Sequence, residues 1–211
     1  NFVFEVNDNL FIRGGTQTIG SLILTVDPSG AATYELNNFN AAQTFNMTTD
    51  GTDLTVVDVS NTGSVNNTIT AKTGNVNVTN LDSLSNVAVT ATAGNLVIGS
   101  GGIDFSRNNI VSLDASGTIT GAGLTTVTIT QGDKRFKTGT ASIDTLNLSG
   151  GTLTVDGAVS VTIAATWNGG TIGGTGTLTT NSGVTTTMSG SVANATLSGT
   201  WENNGTINWS P

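Results

Sequence analysis

The sequence predicts an all-β fold, a parallel β-helix (β-solenoid) of about ten turns of roughly 20 residues each. Three observations predict it. First, residues 69–120 say the same thing three times. Ile69-Thr-Ala-Lys-Thr-Gly74-Asn-Val76-Asn-Val78 is followed 20 residues on by Val89-Thr-Ala-Thr-Ala-Gly94-Asn-Leu96-Val-Ile98. Leu113-Asp-Ala-Ser-Gly117-Thr-Ile119-Thr120 follows 24 residues later, one residue shorter before its glycine. Second, each copy alternates apolar and polar residues on both sides of that glycine, which puts every second side chain on one face of a strand. Third, each corner ends in Gly, where the backbone bends in a way a Cβ would resist. The unit is strand, corner, strand, and no single unit can bury its apolar face alone.

Composition agrees with a thin stacked core. The 211 residues include 28 Gly, 2 Pro and only 9% charged and 5% aromatic residues, with Thr, Asn and Ser abundant. Disordered chains of low hydrophobicity are rich in Lys, Glu and Pro, and this one is not; its Val, Ile, Leu and Thr sit in alternating runs. The net charge of −8 argues against nucleic acid or an anionic membrane as partner, since both call for basic patches. Cys and His are both absent, which removes disulfides, the usual zinc sites and the Ser-His and Cys-His nucleophile systems. No apolar run approaches the length of a membrane-spanning helix. Asn1-Phe-Val-Phe-Glu-Val reads as a strand and not as a leader, so an internal fragment or processed product is expected.

Along the chain, residues 1–45 form irregular strand-rich first turns or a flanking segment, and residues 46–211 form the solenoid repeats, a piece of a longer array. In the first part Phe2/Phe4/Val6, Ile19/Leu22/Leu24 and Tyr34/Leu36 alternate, and Asp27-Pro28-Ser29-Gly30 is a turn by its own chemistry. A short helix is conceivable only over residues 37–42. In the second part an apolar-x-x-apolar-x-apolar form recurs at Leu54/Val57/Val59, Leu84/Val87/Val89, Leu124/Val127/Ile129 and Ile143/Leu146/Leu148, and weakly at Val192/Ala195/Leu197. Its extra residue fits a corner between two sheets. A series of apolar positions at 69, 89, 113, 129, 148 and 163 then marks successive turns, with loops of unequal length between them. Two such loops are Gly99-Ser-Gly-Gly102 and Gly132-Asp-Lys-Arg-Phe-Lys137. The second concentrates charge beside an aromatic, so Lys134, Arg135, Phe136 and Lys137 are the candidate partner-contact loop, against the plainer reading of a solvated excursion.

From residue 145 onward the vocabulary becomes Gly-Thr-apolar-Thr. Trp167-Asn-Gly-Gly-Thr-Ile172 and Trp201-Glu-Asn-Asn-Gly-Thr-Ile207 read as matching elements, each Trp a packing plate over a corner rather than a sugar platform.

The unit Val-Thr-Ala-Thr-Ala-Gly-Asn-Leu-Val-Ile at residues 89–98 resembles the repeat of filamentous-haemagglutinin-type proteins, the large exoproteins of bacterial two-partner secretion, and of related autotransporter passengers. Residues 167–179 resemble repeats of very long bacterial surface proteins. The resemblance covers roughly residues 54–209. It implies a right-handed parallel β-helix, export to the cell surface and a role as the stalk or fibre of an adhesin, with the repeats themselves as scaffold.

Enzymes that act on polysaccharides also use parallel β-helices and need clustered carboxylates. The candidates are Asp53/Asp58, Asp144/Asp156, and Asp114 with Arg107. Acidic residues scattered singly on a solenoid usually keep it soluble, and no enzyme is expected. The calcium nonapeptide of β-rolls is missing beyond the fragment Gly101-Gly-Ile-Asp104, and no phosphate loop or dinucleotide fingerprint occurs. No cofactor is expected. Outward Thr-x-Thr pairs at Thr118/Thr120, Thr128/Thr130, Thr152/Thr154 and Thr177/Thr179 suggest the flat threonine ranks of ice-binding solenoids. Their spacing is irregular, so a single rank would need the loops to absorb the differences.

The expected function is therefore a structural or adhesive segment of an exported bacterial surface fibre, extracellular, holding a binding region away from the cell. The alternative is a self-assembling surface-layer or sheath subunit. The expected partners are a glycan or protein receptor on a cell surface or matrix, and further copies of the chain end to end or side by side.

Overall fold

The structure is a computed structural model. It describes residues 2–6, 10–12, 17–26, 32–36, 39–49, 54–57, 59–61, 66–72, 74–83, 86–189 and 194–210, with side chains for residues 54, 68–72, 74–78, 86–189 and 194–210.

Strands dominate. The chain runs through β1 (Phe2–Val6), β2 (Leu10–Ile12), β3 (Gln17–Val26), β4 (Ala32–Leu36), β5 (Phe39–Thr49), β6 (Leu54–Val57), β7 (Val59–Asn61) and β8 (Asn66–Ala71). It continues through β9 (Val76–Ser83), β10 (Val87–Ala91), β11 (Leu96–Ile103), β12 (Ile110–Ala115), β13 (Thr118–Thr120), β14 (Thr126–Ile129), β15 (Asp133–Phe136) and β16 (Thr140–Leu148). It closes with β17 (Thr152–Val155), β18 (Ala158–Trp167), β19 (Gly170–Gly173), β20 (Thr177–Thr180), β21 (Thr185–Ser189), β22 (Ala195–Leu197), β23 (Thr200–Asn203) and β24 (Thr206–Ser210). The stretch where a helix was conceivable enters β5 from Phe39 on. The expected turn at residues 27–30 lies outside the described residues.

Every strand pairing among the described residues is parallel, and the pairings form three ladders, so the rod has three faces. On the first face β1, β3, β5, β8, β10, β12, β15, β17, β19 and β22 stack in that order. Phe2, Leu22, Phe45, Asn67, Val87, Val111, Lys134, Leu153, Ile172 and Leu197 are Cα partners one above the next. The second face runs from β2 through β4, β6, β9, β11, β13, β16, β18 and β20 to β23. The third uses the opening residues of β3 and β5, then β7 and the ends of β9 and β11, and resumes above the 3-10 turn Ala122–Leu124 with β14, β16, β18, β21 and β24. The fold is a β-solenoid, with about seven turns of roughly 20 residues from β8 onward. Turn length varies, from 19 residues between Lys134 and Leu153 to 25 between Ile172 and Leu197.

Alternation builds the core. On β12 Val111, Leu113 and Ala115 are buried; on β16 Ala141, Ile143, Leu146 and Leu148; on β18 Val159, Val161, Ala165 and Trp167. The residues between them face outward, partly or fully exposed. Buried residues from Leu54 to Met188 make one continuous cluster. Each aliphatic side chain withdrawn from water stabilises by about 1.5–3 kcal/mol, and parallel stacking puts like residues over like along the axis.

The glycine corners stack too. A Cβ on Gly94 would fall on the Gly74 carbonyl oxygen, one on Gly139 on that of Gly117, and one on Gly157 at 2.7 Å from that of Gly139. The three corners legible in the sequence thus head a column of six, extended by Gly139, Gly157 and Gly176. An asparagine ladder runs beside it. Asn75 Oδ1 accepts the Asn95 N–H at 2.8 Å, and Asn95 Oδ1 accepts the Thr118 N–H at 2.8 Å and its hydroxyl at 3.0 Å. At the corner from third to first face, Gly132, Gly151 and Gly170 hold positive φ of 70°, 66° and 77°, and the carbonyls of Gly132 and Gly151 each accept an N–H from the turn above.

Four sequence expectations are corrected here. Gly99–Gly102 is no loop but part of β11, which crosses from second to third face through two register shifts; a Cβ on Gly102 would strike Ile98, so glycine permits a tight bend in place of an excursion. Residues 132–137 are likewise no loop, since Asp133–Phe136 is strand β15 on the first face. The apolar series changes ladder midway. Ile69, Val89 and Leu113 stack on the first face and continue to Phe136 and Val155, whereas Ile129 and Leu148 stack on the third and continue to Trp167. Residue 163 belongs to neither, and Ile163 is 62% exposed. The two Trp elements also occupy different faces, Trp167 on the third and Trp201 on the second. Their rings meet edge to face with centroids 5.7 Å apart, a packing role as expected but by mutual contact.

Candidate functional site

The outward sides of the first and third faces differ in chemistry, and the sequence-flagged residues 134–137 lie on the first. Alternation along β15 turns Lys134 and Phe136 inward and leaves Arg135 and Lys137 exposed. Of the four flagged residues, only Arg135 and Lys137 can meet a partner. Arg135 is paired within its own strand, its guanidinium 2.6 Å from the Asp133 carboxylate.

Lys134 is fully buried in a column whose neighbours below and above are Val111 and Leu153. An ammonium in such a place is costly unless its protons are bonded. Here Nζ donates to the Asn109 carbonyl oxygen at 2.7 Å, to Asn109 Oδ1 at 2.8 Å and to the Arg107 carbonyl oxygen at 2.9 Å. Three acceptors for three protons tie β15 to the segment that leads into β12. A Cβ on Gly132 would sit 2.9 Å from Nζ, so the corner glycine also makes room for the lysine. Burial pushes the Lys134 ammonium down to about 8, against the opposing pull of Asp133 and Asp104.

The segment held by Lys134 is folded by its own carboxylate. Asp104 accepts the Ser106 N–H at 2.9 Å and hydroxyl at 2.6 Å, and pairs with Arg107 at 3.1 Å. Burial raises the Asp104 carboxyl, but Ser106 and Arg107 outweigh it and hold it below its ordinary value.

Asp114, Asp144 and Asp156, weighed for catalysis, and Asp133 beside them each join one turn to the next. Thr154 donates its hydroxyl to Asp133 and Thr162 to Asp144, each at 2.9 Å; Thr175 gives Asp156 its N–H at 3.0 Å; Thr138 donates to Asp114. Each threonine comes from the turn after its aspartate. Asp144 and Asp156 lie at different corners, the first between second and third faces and the second after β17. Asp114 takes Thr138, and Arg107 takes Asp104, so that expected pair does not form. Asp53 and Asp58 are outside the described residues. Among the described residues no group of three His, Cys, Asp or Glu could hold a metal.

The third face carries a different chemistry. From β14 to β24 its outward positions are Thr126/Thr128, Thr145/Asn147, Ala164/Thr166, Thr185/Thr187 and Thr206/Asn208, in continuous register. That is seven threonines, two asparagines and an alanine in two columns, with no charged residue among them. The turns here are 19, 19, 21 and 21 residues long, and the differences are taken up elsewhere in each turn. The Thr-x-Thr pairs legible in the sequence fall on all three faces. Thr118/Thr120 and Thr177/Thr179 share two columns of the second face, joined by Thr140/Ser142 and Ala158/Ser160; Thr152/Thr154 lie on the first, while Thr128 belongs to the array and Thr130 lies past its strand, bonded to the Ser106 carbonyl. Only register shows the array, because six of its ten members are not spaced as Thr-x-Thr.

No protein-family model, no curated protein and no solved structure matches the chain.

Proposed function

We propose that this chain is a structural segment of an exported surface fibre or stalk that projects a binding region away from a bacterial cell. The observation that carries the reading is the continuous ladder of the first face, ten strands bonded rung to rung. Side chains add a second set of ties between successive turns, through Asp–Thr pairs, the Asn75–Asn95–Thr118 ladder and the Lys134 cage. Such a rod holds its length without disulfides or metal, which suits a spacer outside the cell. An acidic, cysteine-free surface supports the same reading.

Immunogold electron microscopy of intact cells of the native source, with antibody raised against the 211-residue chain, tests it. Gold on fibres that project from the surface is the expected outcome. Gold confined to the cell interior would overturn the reading, and gold spread over a continuous lattice would replace the stalk with a surface-layer subunit.

A further inference from the structure

The array on the third face has features that a mere solvated side does not need. It is neutral over five successive rungs of a chain with net charge −8, and on the first four of them every second residue is locked into the core, while on the last, β24, Ile207 and Trp209 are exposed. Threonine dominates it, and β-branching restricts its χ1, so methyl and hydroxyl have few directions open to them. Rungs of a parallel sheet repeat at ~4.8 Å, and alternate residues along a strand at roughly 6.6 Å. Hydroxyls that far apart are beyond direct bonding distance. Among the described residues, the side-chain bond between the columns or rungs of the array is a 3.5 Å contact from Asn147 Nδ2 to the Thr128 hydroxyl. The hydroxyls are left to hold water, at positions repeated along the rod.

We propose that this face binds ice. The ligand class follows from the chemistry. A rigid, uncharged lattice of donors and acceptors is matched by a periodic, uncharged lattice of the same groups, and methyls between the hydroxyls favour ordered over bulk water around them. A protein partner fits less well. Five rungs by two columns make a patch on the order of 200 Å², against about 800 Å² per partner in a stable interface. A sugar-binding face would present aromatic plates in its outward columns, and none of the ten array positions is aromatic; Trp167 is turned into the core, and Trp209, 62% exposed, stands in register over the inward-facing Met188 and in neither column. Ice demands neither, because the hydroxyls keep their water bonds when the first layer freezes. The inference stands apart from the stalk reading, since a rod of any cellular address could carry such a face.

The test uses the whole chain. Thermal hysteresis and the shape of single ice crystals are measured for the unaltered protein, for Thr166→Lys with Thr187→Lys, for Thr187→Val, and for Arg135→Ala with Lys137→Ala on the first face. Faceted crystals and a hysteresis gap are expected from the unaltered protein and from the first-face variant. Loss of both is expected from the double lysine variant, and a reduced gap from Thr187→Val, with circular dichroism and unfolding midpoint unchanged in the valine variant. Absence of faceting and hysteresis in the unaltered protein would overturn the proposal. So would a gap that survives the lysine pair, or retention on crystalline chitin or cellulose without any effect on ice.

Discussion

On the first face the outward columns through Asp133 and Arg135 carry charge; on the third, the columns through Thr126 and Thr128 carry none. The contrast continues inward. The first face buries Lys134 with all three protons bonded, whereas the third buries the Thr186 hydroxyl and the Trp167 indole N–H without a partner. One backbone geometry supports both, so the ladder fixes where side chains go and leaves open what they are. A buried polar group can therefore tie turns together in one place and merely be tolerated in another.

Removing the tie should give the largest effect. Lys134→Ala removes three hydrogen bonds of a buried side chain and opens a cavity, and an unfolding titration in urea should show a loss of about 3–5 kcal/mol. Arg135→Ala, one residue along the same strand but outside, should change stability by less than about 0.5 kcal/mol. Equal losses would mean that the inside–outside distinction on this face is wrong.

The glycine column comes next. Gly139→Ala meets both a positive φ of 74° and the Gly117 carbonyl, and should cost about 2–4 kcal/mol in the same titration. Gly183 has φ 86° but nothing within 4 Å of a built Cβ, so Gly183→Ala should cost only the backbone term, about 1–2 kcal/mol. The difference measures stacking at the corner.

Alkaline pH separates the faces by charge. The lysine titrates at about 8 when folded and at 10.5 when free. Between those values the unfolded chain binds the extra proton, so stability rises with pH across the window, by up to roughly 3 kcal/mol. The contribution is complete above 10.5 and is lost as pH falls through 8. Lys134→Met should flatten this limb relative to the unaltered chain, and a limb that persists in the variant would assign it to another group. The smallest effect belongs to the third face. Thr186→Val removes an unbonded hydroxyl at nearly constant shape, and should raise stability by about 1 kcal/mol; a loss instead would mean that the hydroxyl has a partner.

How much of this was legible follows from the same residues. Ile69, Val89 and Leu113, with their glycines, showed strand, corner and stack, because apolar alternation and corner chemistry are local signals. The next rung was misread because its inward pair is Lys134 and Phe136, and a lysine in an apolar slot hides the alternation. The signal was there: Phe136 follows Leu113 by 23 residues, close to one turn. The apolar series then slid onto Ile129 and the third ladder, since every face offers the same alternating pattern. The hydroxyl array escaped for the complementary reason, being a property of register between turns, which loop lengths set and composition does not. The aspartates read as scattered because their threonine partners lie 18 to 24 residues away.

Register is thus the claim beneath all the others, and a chain without cysteine allows a clean measurement of it. Thr128 and Asn147 are Cα partners on adjacent rungs, and Thr166 is the next above Asn147. Adjacent rungs at ~4.8 Å fall inside the span a disulfide bridges, and two rungs at roughly 9.6 Å fall outside it. Under mild oxidation, Thr128→Cys with Asn147→Cys should form an intramolecular disulfide, and Thr128→Cys with Thr166→Cys should not. Bridging of the second pair, or failure of the first, would contradict the stacked ladder.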